Sequence, residues 1–560
     1  MIYHTKLLSA LSNVYSDREP VGALFEGAEI FKNEAVSFVA ALCPEAVSAL
    51  GGEAATVEVL IKVDSPLEKY VTVSTIENVP AKTVNPVCDE WVEQKGLGFY
   101  PDRLHRVEKG RFTASVGYWS GLFVNVNPEL CDIPAGEYPI KIELYKYGLD
   151  WRGVRTQDTL ICAFETKITV LDVSLPRQRR ITTNWVHYDC ISVLSGTKPW
   201  TERYFKVVGN YLHLAATNGQ NMVLTPAFTP ALDTPVNEER MTVQLVGVEL
   251  NNNKYSFDFT MLDRFINTAI DAGIEYFEHC HLFTQWGAAN APKIMVRENG
   301  RIKRKFGWHT DSMSEEYHIF LHEYLKSLKA YLKEKGVKDK FFFHVSDEPS
   351  VKWIKTYENA AKFLHGEIGD MPSGDALSDY AFYEQGLVDT PIVATDHIEK
   401  FIGRADKLWA YYTGWQSKNH LTNRLAGMPQ ARGRILGVQM YYYGIDGFLH
   451  WGFNAHHNRL SRRIIDPRIS GDMGGDFPCG TSYLVYPNGE GAEPSQRLIT
   501  FRDAMQDIRK FELLESLAGR QTVIDIIKKH IPDISFNCKV TDAQLLALHT
   551  NIVKEIKKHI

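Results

Sequence analysis

Two adjacent acids, Asp347 and Glu348, end the run FFFHVSDEPS over residues 341 to 350. The phenylalanines and valine before them read as a buried strand. Stopping such a strand on paired carboxylates is costly, because each charge must be desolvated and each makes its neighbour harder to ionise. Chemistry can justify that cost: one carboxylic acid donates a proton while the other holds a second atom of the same substrate. The plainer alternative is capping, since a helix starting after Pro349 would favour acids at its N-terminus.

Glycosidases that retain configuration ordinarily place a second carboxylate, the nucleophile, across the sugar from the acid. In many barrel glycosidases it ends the seventh strand. Here that segment is KLWAYYTGWQSKN, and the eighth is GFLHWGFN; neither holds a carboxylate. An acid without a distant partner suggests a substrate that carries its own nucleophile. A 2-acetamido sugar does so when its carbonyl oxygen attacks C1 and forms an oxazolinium ion. One carboxylate would then orient the acetamide N–H, and its neighbour would protonate the leaving oxygen.

The elements that must position the doublet can be read from periodicity. TVEVLIKVD (56 to 64), YPIKIELY (138 to 145) and ETKITVLDV (165 to 173) alternate with period two. With short strands and no long helix, residues 1–174 read as a β-sandwich. LPRQRR (175 to 180) is the expected boundary. Eight candidate strands follow, beginning near residues 180, 221, 274, 341, 375, 390, 407 and 446, with helical patterns between most of them. That alternation predicts a (β/α)8 barrel of TIM type over 175–515, with Asp347 and Glu348 at the C-terminal mouth of the fourth strand. The clearest helix opens with Ser312/Glu315 capping-box spacing and closes at Gly336. A small helical segment, 516–560, completes the chain, with a second capping-box start at Thr541/Gln544 and an apolar stripe through Leu545, Leu548, Ile552 and Ile556.

Composition excludes several classes. In 560 residues the net charge is -6, with basic residues dispersed, which argues against nucleic acid. No apolar run is long enough to span a bilayer. Eight cysteines without CxxC spacing and a start lacking a basic, apolar leader predict a cytoplasmic protein without disulfides. An aromatic content of 12%, including 11 tryptophans and 26 tyrosines, is compatible with stacking on sugar rings, or simply with aromatic cores. Composition gives no indication of oligomeric state.

Five stretches in order carry a resemblance: TNWVHYDC, HVSDEP, DGFLHWGFN, SYLVYPNGEG (482 to 491) and SQRLITFRDAMQD (495 to 507). Together they resemble glycoside hydrolase family 123, the β-N-acetylgalactosaminidases, and its clostridial-type members in particular. AMQD departs from the Gly-Ile-Glu-Asp type of run common in relatives. The resemblance implies an exo-acting, retaining, substrate-assisted hydrolase for terminal β-linked GalNAc, such as on glycosphingolipid glycans, with no cofactor. It implies Glu348 as general acid/base and Asp347 as the residue holding the acetamide. Glu348 would have to be protonated at working pH, with an ionised Asp347 pushing it that way.

Further substrate-binding candidates come from the strand ends. Tyr380, Tyr383 and Tyr412 could face the acetamide carbonyl, and Trp451 is the first choice for stacking beneath the ring. Trp415, Trp308 and Trp185 could line the mouth. His279 and His281 form an HxH pair on the third strand, a spacing that can bind metal. Barrel hydrolases that use it usually carry it on strand one and add an aspartate ending strand eight, which is missing here, so hydroxyl-binding or core roles are favoured and no metal is expected. His187, Asp189, Asp396 and His397 are lesser polar candidates, and His456 and His457 could reach an outer sugar. Tyr483 and Tyr486 could fold over the mouth, with Arg497, Arg502 and Asp503 tying their loop to the last long helix. Two rival readings stand beside the hydrolase: a metal-dependent amidohydrolase-like enzyme and a non-catalytic carbohydrate-binding protein.

Overall fold

The computed structural model describes residues 1–46, 55–83, 88–150 and 152–560. Two five-stranded sheets form the N-terminal third. One orders its strands Ile2–Ser9, Val36–Glu45, Ser120–Val126, Val71–Ala81 and Gly98–Arg106, all antiparallel. The other runs Ala28–Phe31, Thr159–Leu171, Gly136–Lys146, Thr56–Asp64 and Arg111–Ser115, antiparallel except for its first pair. The alternating residues of the sequence face inward as expected. Val57, Val59, Ile61, Ile140, Ile142 and Leu144 meet Phe38, Ala40, Leu42, Leu122 and Val124 of the opposite sheet in one core.

Eight short parallel strands follow: Ile181–Asn184, Met222–Thr225, Tyr276–His279, Phe341–Phe342, Gly374–Leu377, Thr390–Ala394, Trp409–Tyr411 and Gly447–His450. Strands two, three and four pair as one parallel sheet; five, six, seven, eight and one pair as another. Hydrogen bonds join the two sheets on both sides. Asn221 N–H donates to Thr182 O at 3.2 Å, and Gly374 N–H donates to Phe343 O at 3.1 Å. Every predicted strand is therefore present, within about two residues of its expected start.

The helices depart more from expectation. Helix Glu315–Lys335 ends at Gly336, whose φ of 75° is the left-handed conformation that stops helices. Its N-cap is Ser314 rather than Ser312, and no side chain closes the cap. Between the fifth and sixth strands only one helical turn forms, Ala381–Glu384, and between the sixth and seventh only the turn Ile398–Lys400. Two hairpins, Gly247–Asp258 and Ile294–Phe306, build a four-stranded side sheet that the periodicity did not reveal. The expected boundary at 515 falls inside a continuous helix, Gln496–Ala518. The Thr541/Gln544 capping box forms as predicted, and Leu545, Leu548, Ile552 and Ile556 are buried against the neighbouring helices.

The sandwich is bonded to the rest of the chain through buried charge. Arg497 donates to both oxygens of Asp102 at 2.8 Å, and Tyr486 Oη donates to Asp102 at 2.5 Å. Arg502 reaches Asn125 and Ser37 at 3.0 Å, and Arg432 makes a bidentate pair with Asp89. Arg497, Arg502 and Asp503 were expected to fasten the 482–491 loop to the helix; Arg497 does so through Tyr483 O at 2.8 Å, whereas Arg502 bonds Asp503 and the sandwich instead. No helix among the described residues is long and apolar enough to cross a membrane.

Candidate active site

The peptide between the two acids is held from both sides. Trp286 N–H, from the loop after strand three, donates to Asp347 O at 2.9 Å, and Glu348 N–H donates to Ala376 O on strand five at 3.0 Å. The ladder thus continues past the last paired residue of strand four and fixes the doublet between its neighbours. Glu348 has φ of 42°, a left-handed value that is uncommon outside glycine. That turn separates the two carboxyls: Asp347 stays half-buried, whereas Glu348 is exposed at the rim. Tyr411 Oη, at the end of strand seven, donates to Glu348 Oε1 at 2.7 Å.

Beneath the doublet lies a buried charged network whose members share one inward face. Residues two apart on a strand point the same way. His344, two before Ser346, lies between Glu278 Oε1 (3.1 Å) and Asp375 Oδ1 (3.4 Å). Burial alone would push its imidazole down, but the two carboxylates outweigh this and raise it to about 9. Glu278 also accepts from Thr183 Oγ1 (2.7 Å) and Trp185 Nε1 (3.2 Å). Asp375 accepts from the Val345 and Ser346 amides and from the Tyr357 hydroxyl. The electrostatic load falls on Asp347. Loss of water in the site, then the adjacent Glu348, push its carboxyl well above the ordinary aspartate value, with His344 opposing. The deeper acid, expected to be the ionised one, is thus the one whose protonated form the site by itself favours.

A second buried cluster lies between the first and eighth strands. Arg240 Nη2 contacts Asp189 Oδ1 (2.8 Å), His187 Nδ1 (3.1 Å) and His457 Nε2 (3.0 Å). The three partners bring ligand-type atoms within 4.8 Å of one another, as do His281, His344 and Asp375. In the first group the guanidinium already sits among the donors. In the second, His344 supplies the cationic partner of Asp375. Burial works against the Asp189 carboxylate, yet Arg240 and His457 hold it well below its usual range; burial and Arg240 press His187 down to about 3. Asp233, on the loop after strand two, accepts from Leu460 N–H and Ser461 Oγ, and its charge reaches Asp347.

Several candidates take other positions. Tyr412 is buried against Phe448 and His450, with Arg424 over its ring, so the hydroxyl facing the acids is that of Tyr411. Tyr380 and Tyr383 pack on Phe401 and on one another, and Tyr383 Oη accepts from Asp406 N–H. His279 points outward: Glu278 points in, so the next residue faces Tyr324 (2.7 Å), where burial lowers it to about 4. His281 stacks on His344 with centroids 4.5 Å apart. Trp185 is floor rather than rim, with its ring edge against both histidines. His187 is buried and bonds Trp451 O at 2.9 Å, which anchors Trp451 at the end of strand eight, half-buried beside Phe477. Trp308 lines a narrow crevice with Thr284 and Arg304. Trp415 is 76% exposed beyond strand seven. His456 bonds Val485 O inside the fold, and Asp396 holds His397 and Gln416. Tyr483 is buried and bonds Gly471 O.

Tyr411, Glu278, Asp375, His344, Asp233 and Arg240 were not singled out from sequence. Glu278, the one acid within the strand YFEH, was a usable signal. Tyr411 needed the strand's parity, which becomes evident only once Trp409 is seen stacked on Phe342 at 5.0 Å.

A parallel-strand fold with a tandem acid pair at its C-terminal mouth, backed by a buried charged floor, has the arrangement of a glycoside hydrolase. The family model "Glycoside hydrolase 123, catalytic domain" matches residues 185–514, and the chain belongs to that family. Among solved structures it is similar to a family 123 glycoside hydrolase from Clostridium perfringens, studied for glycolipid glycan hydrolysis. The match has a TM-score of 0.73 at 13% identity and covers 100% of this chain and 98% of that one. Weaker likenesses are to a family 2 glycosyl hydrolase from Bacteroides cellulosilyticus (TM-score 0.26, 10% identity, 84% and 49% covered) and a Bifidobacterium dentium β-glucuronidase (TM-score 0.30, 8% identity, 90% and 67% covered). No curated protein matches the chain.

Proposed function

We propose that the protein is an exo-acting, retaining β-N-acetylgalactosaminidase that works through an oxazolinium intermediate. The observation that carries this reading is the doublet itself: one carboxyl held deep, its neighbour at the rim, and no carboxylate on the segments ending strands seven and eight. Asp347 accepts the acetamide N–H and directs the carbonyl oxygen at C1. As that oxygen bonds to C1, the glycosidic C–O bond breaks and Glu348 gives its proton to the leaving oxygen. The pair holds one proton, carried by Glu348 in the complex, so Asp347 faces the acetamide as a carboxylate and stabilises the oxazolinium. Water then attacks C1, Glu348 takes its proton, and the acetamide is restored. Tyr411 holds the Glu348 carboxyl in line.

The eight parallel strands are best read as one closed (β/α)8 barrel, supported by the hydrogen bonds between the two sheets on both sides. Residues 1–174, 175–515 and 516–560 would then be sandwich, catalytic unit and helical appendage. The glycan terminus of a glycolipid is the proposed natural substrate, supported by the relative from Clostridium perfringens.

GalNAc-thiazoline mimics the cyclised intermediate. Inhibition by it, stronger than by the gluco isomer, is the expected result. Trapping a glycosyl ester on Asp233, the nearby carboxylate that could act as a protein nucleophile, would overturn the reading.

A further inference from the structure

Two indoles stand in solvent beside the acid pair. Trp286 is 48% exposed and Trp353 46%; the first belongs to the loop that holds Asp347, and the second ends the turn Val351–Trp353 that follows Glu348. Trp286 has φ of 65°, a left-handed conformation in which a bulky residue is strained. The same residue's backbone N–H binds Asp347 O, so the position that carries this ring adjoins the acids' peptide. The loops touch directly: a Cβ on Gly287 would lie 2.9 Å from Trp353 Cβ. Strain and exposure together are an arrangement that packing alone does not reward.

Depth decides what meets these rings, given the reading under Proposed function, on which this inference rests. The acetamido sugar hangs on half-buried Asp347, and its glycosidic oxygen points out towards Glu348 at the rim. The group released by protonation must lie farther out still, on the side where Trp286 and Trp353 stand. We propose that these two residues form the subsite for the leaving-group sugar, receiving a pyranose by its C–H face. The enzyme would thereby be selective for GalNAc linked to another sugar rather than to a small alcohol. Lys352, whose ammonium lies 5.2 Å from the Trp353 ring centroid, helps fix that ring.

The test compares a β-GalNAc-terminated disaccharide with methyl β-GalNAc, using Trp353→Ala, Trp353→Phe and Trp286→Asn, the last because asparagine tolerates left-handed backbone. Loss of one stacking face should lower kcat/KM on the disaccharide by up to about tenfold for Trp353→Ala and Trp286→Asn. Trp353→Phe should keep most of it. For the two Trp353 variants, activity on the methyl glycoside and the affinity for GalNAc-thiazoline, which carries no leaving group, should change by less than about twofold, and the latter also reports that the variants fold. Equal losses on both substrates, or no loss on the disaccharide, would overturn the subsite while thiazoline binding still supports the parent reading. Failure of thiazoline to bind the unaltered enzyme would overturn both.

Discussion

Tyr411 donates its hydroxyl hydrogen to Glu348 across the mouth, from the seventh strand to the fourth, at 2.7 Å. Burial and the facing carboxylate keep that phenol protonated, well above its ordinary value, so it acts as a fixed donor. Tyr411→Phe should lower kcat/KM by roughly 10- to 100-fold, the scale of one hydrogen bond to a charged group. Steady-state kinetics on an unactivated β-GalNAc glycoside read this directly. An unchanged value would remove Tyr411 from the mechanism.

Glu348→Gln should nearly abolish cleavage of an unactivated glycoside. Glu348→Ala should be partly rescued by a good leaving group, such as nitrophenol, because protonation then matters less. Asp347→Asn should be slow whatever the leaving group. A survey of rate against leaving-group acidity for the three variants distinguishes these outcomes.

Asp347 also makes a prediction about stability. Its folded-state carboxyl is raised well above the unfolded value, so its contribution is fully present below the unfolded pKa, about 4, and is lost as pH rises. Asp347→Asn, which cannot ionise, should therefore melt higher than the parent at neutral pH. The advantage should disappear below about pH 4. Melting temperature measured across pH tests both halves.

Histidines set the two edges of the stability profile. His344 is raised from 6.5 to about 9, so its contribution is complete below 6.5 and lost as pH climbs through 9. His279 and His187 are lowered to about 4 and about 3, so theirs is present above 6.5 and lost as pH falls. In the Asp347→Asn background, which removes the opposing trend, melting temperature should peak near neutrality. His344→Phe should destabilise by about 3–5 kcal/mol, since it leaves Glu278 and Asp375 buried without a cationic partner. Denaturant titration at pH 7 measures the loss.

Chelation should leave activity unchanged. Arg240 occupies the centre of the His187, Asp189 and His457 group, and His344 compensates Asp375 in the other. Loss of activity on prolonged EDTA treatment, restored by zinc, would favour the metal-dependent alternative.

Much of the layout was legible in the sequence. Val57, Val59 and Ile61 announce a one-sided strand, and eight apolar runs locate eight parallel strands, because period and punctuation are local properties. The acid doublet was legible because charge at a strand end is conspicuous. What stayed hidden depends on partners distant along the chain. Whether Tyr411 or Tyr412 faces the mouth turns on which side Trp409 packs, and His279 points outward only because Glu278 is drawn inward by Thr183 and Trp185. The side sheet was missed for a related reason: RIKRKF at 301 to 306 carries no apolar alternation, and its strand is held by pairing with Ile294–Glu298.

The pairing of Asp102 with Arg497 and Tyr486 bears on how this enzyme can be trimmed or recombined. Cutting away the first 174 residues would strand a guanidinium in the interior with no counter-ion. Grafting a foreign amino-terminal module would do the same unless it brought an acid to that spot. A chain shortened by those residues is therefore expected to give insoluble product rather than a smaller catalyst.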